Sequence, residues 1–121
     1  MKNQKPIYRD GYIYFLKEVI KKNEFNAKEK GKFYEIVVEL PFNELSKRMQ
    51  DKELINKFDV QLDLKIEVPN CRLNFDNKYY IIVNNDNTKV FDITYHDDTD
   101  EKYYLYLTIV GVKENVIVGW Y

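Results

Sequence analysis

The strictest pattern in this sequence is an alternation of apolar and polar residues that runs from Val60 to Val68. Its apolar members are Val60, Leu62, Leu64, Ile66 and Val68, and its polar members are Gln61, Asp63, Lys65 and Glu67. Successive side chains of a β-strand point to opposite faces of the sheet. The period of two therefore predicts a strand that buries one face and exposes the other to water. Such a strand is stable only within a sheet, so the rest of the chain has to supply its neighbours.

Several other segments carry the aromatic and β-branched residues that are typical of strands. They are Tyr12–Ile20, Phe33–Leu40, Cys71–Phe75, Lys78–Val83, Val90–Tyr95 and Tyr103–Val112. Two polar intervals, Asn84–Asn87 and His96–Lys102, have the composition of hairpin turns. We therefore expect the strands on either side of each interval to pair in antiparallel fashion.

One segment departs from the strand pattern. From Phe42 onward the apolar residues recur at helical spacing. Pro41 near the start and Asn43 as a candidate N-cap favour a helix that begins there. The sequence predicts about four helical turns, ending near Lys57.

These elements predict a mainly β protein with one helix inserted after the second strand. About six antiparallel strands are expected, closed into a small β-barrel or arranged as a curled sheet. The chain has 121 residues, enough for one hydrophobic core, so residues 1–121 are expected to form a single domain. Residues 114–121 form an apolar C-terminal tail. Its segment Val116–Tyr121 is expected either to complete the sheet as an edge strand or to dock on a neighbour.

The composition points to a location inside the cell. Cys71 is the sole cysteine, so an internal disulfide is excluded. The first residues lack the pattern of a signal peptide, and no apolar stretch approaches the roughly 20 residues that span a bilayer. A net charge of -1 gives no global attraction to nucleic acid or to a membrane. We therefore expect an intracellular protein with no membrane partner.

The residues that could carry chemistry are few. His96 is the only histidine, and neither a phosphate-binding loop nor a dinucleotide fingerprint occurs. Ser46 has no glycine elbow near it, and Cys71 lies in strand-like sequence where a buried apolar role is typical. The acidic interval 97–101 lacks the spacing of a calcium loop, so a solvated turn is the simpler interpretation. We expect no catalytic residue, no metal site and no cofactor.

Two features favour binding to macromolecules. A lysine-rich segment with one aromatic residue could contact a phosphate backbone, although a solvated loop has the same composition. Its members are Lys21, Lys22, Phe25, Lys28, Lys30 and Lys32. The many tyrosines in predicted strands, together with Trp120 in the tail, favour association with other proteins, because aromatic side chains are enriched at interfaces.

Three blocks of the sequence resemble the corresponding segments of one known protein family. The first is Arg9–Phe15 (RDGYIYF), which is followed by a polar loop containing Phe25–Lys28 (FNAK). The second is Phe42–Asp51 (FNELSKRMQD), and the third extends from Tyr80 through Phe91–Ile93 to Tyr103–Leu107 (YYLYL). In these blocks, which span about residues 9 to 113, the chain resembles the head-closure, or head–tail connector, proteins of tailed bacteriophages.

The resemblance implies a β-barrel-like virion subunit without enzymatic activity. Such subunits assemble into a homo-oligomeric ring, often a dodecamer, in the phage neck. The ring connects the portal and adaptor to the tail terminator and tail tube, and it closes the capsid around the packaged DNA that enters its channel. Implied DNA-channel or ring contacts are Lys21, Lys22, Phe25, Lys28, Lys30 and Lys32. Implied partner contacts are Asn43, Glu44, Lys47, Arg48, Val116, Ile117, Val118, Trp120 and Tyr121.

Other functions remain open at this point. Another neck or tail component, such as a tail terminator, shares the small β-rich build. A monomeric nucleic-acid-binding module of the OB or SH3-like kind is a second alternative, although the net charge of -1 argues against it. An enzyme is the last alternative. The abundance of residues with A/T-rich codons predicts a low-GC bacterial host, in whose cytoplasm the virion would be assembled.

Overall fold

The computed structural model of the chain describes residues 7–20, 32–110 and 116–119. These residues form a mainly β domain with one helix, which confirms the predicted class. The strands are β1 (Tyr12–Val19), β2 (Lys32–Pro41), β3 (Asn43–Leu45), β4 (Leu64–Pro69), β5 (Tyr80–Val83), β6 (Asp86–Asp98), β7 (Lys102–Ile109) and β8 (Val116–Gly119). The helix α1 (Met49–Asn56) lies between β3 and β4.

The strands form one mixed sheet in the order β3-β4-β7-β6-β5-β1-β2-β8. All neighbouring pairs are antiparallel except β2 and β8, which are parallel. Of the two predicted arrangements, the closed barrel was wrong, because the sheet is not closed. The described residues also differ from the prediction of about six antiparallel strands in forming eight strands, one pair of which is parallel. The additional strands are the short β3, which was not predicted, and β8, which is one of the two outcomes predicted for the tail; the pairing partners of both cannot be read from local sequence.

The sheet is nevertheless strongly curled. β2 and β3 are separated in the chain by Phe42 alone, yet they lie near opposite ends of the sheet. The backbone N–H of Phe42 donates to Gly11 O and its carbonyl accepts from the Asp10 N–H, both at 3.1 Å. Residues 10–11 therefore extend the β1 side of the sheet to the point where β2 becomes β3. The two ends of the sheet are thereby brought towards each other.

The curl encloses a core that is entirely apolar or aromatic. Its buried members are Ile13, Phe15, Leu40, Phe42, Ile66, Val68, Tyr79, Ile81, Phe91, Tyr103, Leu105 and Leu107. The loop between β4 and β5 covers one end of this inner core. There the Phe75 ring packs edge-on against Phe15, Tyr79 and Tyr103, and the Leu73 N–H donates to the Tyr103 hydroxyl at 2.8 Å. The predicted strand at Cys71–Phe75 is this irregular loop instead.

A second core lies on the other face of the sheet. It contains Leu16, Tyr34, Ile36, Ile82 and Val90, and Val118 of β8 packs against it. A β-bulge in β2 at Val37 separates the two cores, because Phe15 pairs with Val38 while the next residue, Leu16, pairs with Ile36. The side chains of β2 therefore change faces at the bulge. β8 also contacts β6, so this end of the sheet turns back around the second core.

The helix is shorter and starts later than predicted. Val38, Leu40 and Phe42 continue the strand alternation into the inner core, so the chain remains extended through Leu45. Met49 belongs to the first turn of α1 and is 74% exposed, which removes it from the predicted apolar stripe. The expected helix from Pro41 or Asn43 to Lys57 was thus wrong at its start, because burial in the sheet outweighed helical spacing.

The alternating segment was predicted correctly in type but not in surroundings. β4 contains Leu64–Pro69, whereas Leu62 precedes it and packs with Ile55 and Tyr106 beneath α1. The helix covers this part of the outer face, so Lys65 is buried rather than wet. Both predicted hairpins are confirmed, with turns between β5 and β6 and between β6 and β7.

Candidate functional site

The groups that could perform chemistry are dispersed over the described residues. Ser46 is exposed and Cys71 is half-buried, with its pKa raised by desolvation at the rim of the inner core. No group of three or more metal-ligating side chains occurs in residues 7–20, 32–110 and 116–119. Over the same residues, no helix combines the length and the apolar character that a membrane span requires.

His96 has a packing role in the structure. A β-bulge at Thr94 in β6 turns Tyr95 to the outer face and His96 towards the loop between β4 and β5. The imidazole stacks on the Phe75 ring, with centroids 4.1 Å apart, and its Nδ1 lies 2.6 Å from Asp98 Oδ1. His96 therefore links the hairpin of β6 and β7 to the loop that covers the inner core.

The lysine-rich segment falls almost entirely outside the described residues. Lys21, Lys22, Phe25, Lys28 and Lys30 belong to the undescribed part of the chain, so their predicted role stays a prediction. The backbone of Lys32 begins β2 and pairs with Val116 of β8. The start of β2 and the predicted tail are therefore neighbours in the sheet.

The described part of the apolar tail, Val116–Gly119, forms an edge strand, which is one of the two outcomes predicted for the tail. β8 pairs Val116, Ile117, Val118 and Gly119 with Lys32, Phe33, Tyr34 and Glu35 of β2. Val118 is half-buried against the second core. Trp120 and Tyr121 lie outside the described residues, so their predicted contacts remain untested.

Asn43 is the centre of a clasp that holds residues 7–11 along β3. Its Oδ1 accepts from the Arg9 N–H at 2.7 Å, and its Nδ2 donates to Ile7 O at 2.7 Å and to Glu67 Oε1 at 3.1 Å. A side chain of the N-terminal segment also bonds to the backbone of β3, since Asp10 Oδ2 accepts from the Glu44 N–H at 2.7 Å. The Asn43 side chain, predicted as a partner contact, thus makes bonds within the chain, while Glu44 is exposed.

A half-buried ion pair supports the same clasp. Lys102 Nζ on β7 lies 3.0 Å from Glu67 Oε2 on β4, and this hydrogen bond raises the pKa of Lys102. Tyr8 lies close to this pair, and burial raises the pKa of its hydroxyl. The clasp therefore joins β3, β4 and β7 to the segment that precedes β1.

The last two predicted partner contacts, Lys47 and Arg48, lie just before α1. Both are exposed, and Lys47 Nζ donates to Asp63 O at 3.2 Å. Arg48 is the N-cap of the helix, and its N–H donates to Asp51 Oδ2 at 2.9 Å. This bond fixes the first turn of α1 from the inside while leaving the Arg48 side chain 66% exposed.

Asp51 and Lys65 form a buried ion pair beneath the helix. Lys65 Nζ lies 3.0 Å from Asp51 Oδ2 and 5.3 Å from the centroid of the Tyr106 ring. Desolvation acts to raise the pKa of Asp51, but the hydrogen bonds from the Arg48 N–H and the Lys65 ammonium outweigh it, so the pKa lies below its ordinary value. Each charge is thus compensated within the fold.

A polar cleft lined by two tyrosines lies beside the turn between β5 and β6. Tyr12, Tyr14, Glu39, Asn84 and Asn85 line it, and its volume is about 220 Å³. Tyr12 and Tyr14 share a face of β1, and Tyr14 pairs across the sheet with Glu39 of β2. A hydrogen bond to the Glu39 carboxylate raises the pKa of Tyr14. Tyr12 is 56% exposed and Glu39 is also exposed.

The wall of this cleft is fixed by Asn84. Its Oδ1 accepts from the Tyr12 N–H at 3.0 Å, and its own N–H donates to Tyr12 O at 2.8 Å. Asn84 and Asn85 have φ values of 50° and 62°, because a type I′ hairpin turn requires positive φ at both of its central residues. Gly11 has φ of 118°, and a Cβ there would lie 1.9 Å from Asn84 Oδ1, so only glycine allows this close approach.

An apolar opening lies on the other side of the same turn. Leu64, Val83 and Phe91 form its floor, Asn84, Asp86 and Lys89 form its rim, and its volume is about 280 Å³. It is the end of the inner core opposite to the loop between β4 and β5. The cleft and the opening therefore flank one rigid turn.

Neither the protein-family models nor the curated proteins contain a match to this chain. The site residues must therefore be judged from their own geometry. The turn at Asn84–Asn87 is predictable from the sequence, whereas the site formed by Tyr12, Glu39 and Asn85 is not. The available signal was the alternation of Tyr12 and Tyr14, which places two aromatic rings on one face of a strand.

Proposed function

We propose that this protein is a structural subunit of the phage neck, which joins the portal and adaptor to the tail and closes the DNA-filled capsid as part of a ring. The proposal rests on the resemblance described above and on one feature of the surface. Seven large apolar side chains are exposed in the described part of the chain, and on this proposal some of them would be covered by neighbouring subunits or partners in the ring. They are Ile7, Tyr12, Ile20, Val37, Met49, Phe58 and Val60.

The region before α1 is the best candidate for a contact with the portal or adaptor. Glu44, Lys47, Arg48 and Met49 are consecutive or nearly so, and all four are exposed. A large exposed apolar residue flanked by charged residues is typical of the border of a protein interface. The bond from Arg48 to Asp51 holds this region in one conformation, so less order has to be gained on binding.

The remaining candidate contacts are the lysine-rich segment and β8. In the proposed ring the lysines would face the DNA channel, where their charge would contact phosphate. The β8 segment would lie at the border with a neighbouring subunit, and Trp120 and Tyr121 would extend that border. These assignments hold only if the protein forms the proposed ring.

The decisive experiment mixes the purified protein with portal-bearing, DNA-filled capsids that lack a tail, and images them by electron microscopy. Ring density at the portal vertex is the expected result. Lys47→Glu should abolish this density, whereas Lys57→Glu, which makes the same charge change just after α1, should retain it. Density at the end of isolated tail tubes would instead indicate a tail terminator. Salt-dependent retention on an oligonucleotide column without ring density would indicate a nucleic-acid-binding module.

A further inference from the structure

We propose that the cleft formed by Tyr12, Tyr14, Glu39, Asn84 and Asn85 binds an arginine side chain of a partner protein. The size of the cleft favours a single side chain. Its volume of about 220 Å³ is below the roughly 300–1,000 Å³ of pockets that hold drug-sized ligands. The proposal does not depend on the neck function, because it concerns only what this cleft can recognise.

The charge of the cleft selects a cation. Glu39 is exposed, and no described lysine or arginine forms an ion pair with it, since the described pairs are made by other carboxylates. The Tyr14 hydroxyl donates one hydrogen bond to Glu39. An ionised carboxylate has two oxygens with about four acceptor positions, so one such bond leaves capacity for a second donor.

The aromatic residues favour arginine over lysine. A planar guanidinium stacks on a tyrosine ring and can also donate two parallel hydrogen bonds to one carboxylate, which a lysine ammonium cannot do. Tyr12, with 56% of its surface exposed, lines the same cleft as Glu39. The side-chain amide of Asn85 lines the same wall and donates a hydrogen bond to the Tyr14 hydroxyl. Stacking, a paired charge and a polar wall are therefore available within one small cleft.

The cleft is also preorganised. Asn84 is fixed by its bonds with the backbone of Tyr12 and by the close approach of Gly11, so the turn and the start of β1 form one rigid unit. Tyr14 is held by Glu39 and packs at the edge of the second core. A rigid receptor loses little conformational entropy on binding, which raises the affinity for a flexible side chain.

The test uses the capped tripeptide acetyl-Gly-Arg-Gly-amide as the probe and follows the backbone amide signals of the isotope-labelled full chain by NMR. We expect saturable shifts at Tyr12, Asn84 and Asn85 with a dissociation constant on the order of 1 mM. The matched probe with citrulline, which keeps the shape of arginine but lacks its charge, should bind at least about tenfold more weakly. Added salt should weaken the arginine probe.

Variants separate this recognition from general attraction to an acidic surface. Glu39→Gln should weaken the arginine probe about tenfold, whereas Glu53→Gln, which makes the same charge change at an exposed position on α1, should not. Tyr12→Phe should retain binding and Tyr12→Leu should lose it, because only the former keeps the aromatic face. All four variants are expected to keep the amide spectrum of the folded chain. Equal binding of arginine and citrulline, or an unchanged affinity in Glu39→Gln, would overturn the proposal.

Discussion

The inner core and the outer face of this sheet are held together by different chemistry. The inner core joins residues from six strands without a single charged group, and much of its volume is aromatic. Beneath α1, on the outer face, the buried residues include Asp51 and Lys65, which pair with each other. In the described part of the chain, every buried side-chain polar atom has a hydrogen-bond partner. Neither region therefore contains an unsatisfied buried polar side chain. Only the region beneath α1 contains buried charges, and these neutralise each other.

The difference indicates two roles. The stabilisation from apolar burial depends on the area removed from water and not on a precise direction of contact. The inner core therefore contributes most of the stability, and this contribution changes little when its side chains shift slightly. A buried ion pair tolerates few arrangements, since each charge must stay close to its partner. Asp51 binds both Lys65 and the N-cap of α1, so it specifies where the helix lies on the sheet. We infer that the inner core determines how stable the fold is and that the outer pair determines how the helix is seated.

The largest effect should come from the inner core. Phe15→Ala should lower the free energy of unfolding by about 3–5 kcal/mol, because it removes a fully buried ring and leaves a cavity. Urea denaturation followed by circular dichroism measures the change. Ile20→Ala truncates an apolar side chain that is 65% exposed and should cost no more than about 0.5 kcal/mol. Similar costs for the two variants would contradict the assignment of the inner core.

Removing one half of the buried ion pair should come next. Lys65→Met leaves Asp51 without its charged partner and should cost about 2–4 kcal/mol, somewhat less than a fully buried pair because Arg48 remains near. The double variant Lys65→Met with Asp51→Asn should recover part of that loss. Lys52→Met, on the exposed side of the same helix, is the control and should be close to neutral. If the two single lysine variants were equally stable, the pair would have no role in seating α1.

The same pair predicts a dependence on pH. The folded pKa of Asp51 lies below the value of about 3.9 for an unfolded aspartate, so the folded state binds the proton less readily. The stabilisation from this group is therefore complete above about pH 4 and is lost as the pH falls towards the folded pKa. Unfolding of the wild type and Asp51→Asn should converge as the pH is lowered through this range. A stability difference between the wild type and Asp51→Asn that stays constant through this range would contradict the prediction.

The smallest effect should come from the clasp at β3. Asn43→Ala removes three hydrogen bonds at the edge of the sheet and should cost about 1–2 kcal/mol, because its partners remain partly accessible to water. Hydrogen exchange should be faster at the Arg9 amide, while the amides of the inner core keep their protection. Asn87→Ala, at an exposed position on β6, should alter neither quantity. Loss of protection throughout the inner core would mean that the clasp and the core are one cooperative unit.

Sequence predicted those parts of the fold that depend on neighbouring residues. The two hairpins follow from polar turns between apolar strands, and both are present. The seating of β3 and β8 depends on pairing between distant segments, which no local pattern contains. The helix start was missed because Phe42 satisfies a helical spacing and a strand alternation alike, and burial in the inner core decides between them. Lys65 was assigned to water because α1 covers it only in the folded chain.

The surface was predictable to a smaller extent. Glu44, Lys47 and Arg48 are exposed, and their predicted role as partner contacts stays a prediction, whereas the Asn43 side chain makes its hydrogen bonds with the segment before β1 and with β4. The tyrosine cleft combines three parts of the chain, near Tyr12, Glu39 and Asn84. Its two tyrosines were visible as an alternation, whereas the carboxylate reaches them only through the register of β1 and β2. A site assembled across strands is therefore hidden until the pairing is known.

The parallel pairing of β2 with β8 also has a consequence for biosynthesis. Lys32 pairs with Val116, so one strand emerges from the ribosome long before its neighbour exists. At about 5–20 residues per second, the 84 residues from position 33 to position 116 take about 4–17 s to translate. During that interval the apolar residues of β2 that later meet Val118 have no cover from β8. Nascent chains should therefore be open to capture by chaperones at this edge of the sheet until β8 has left the ribosome and can pair with β2.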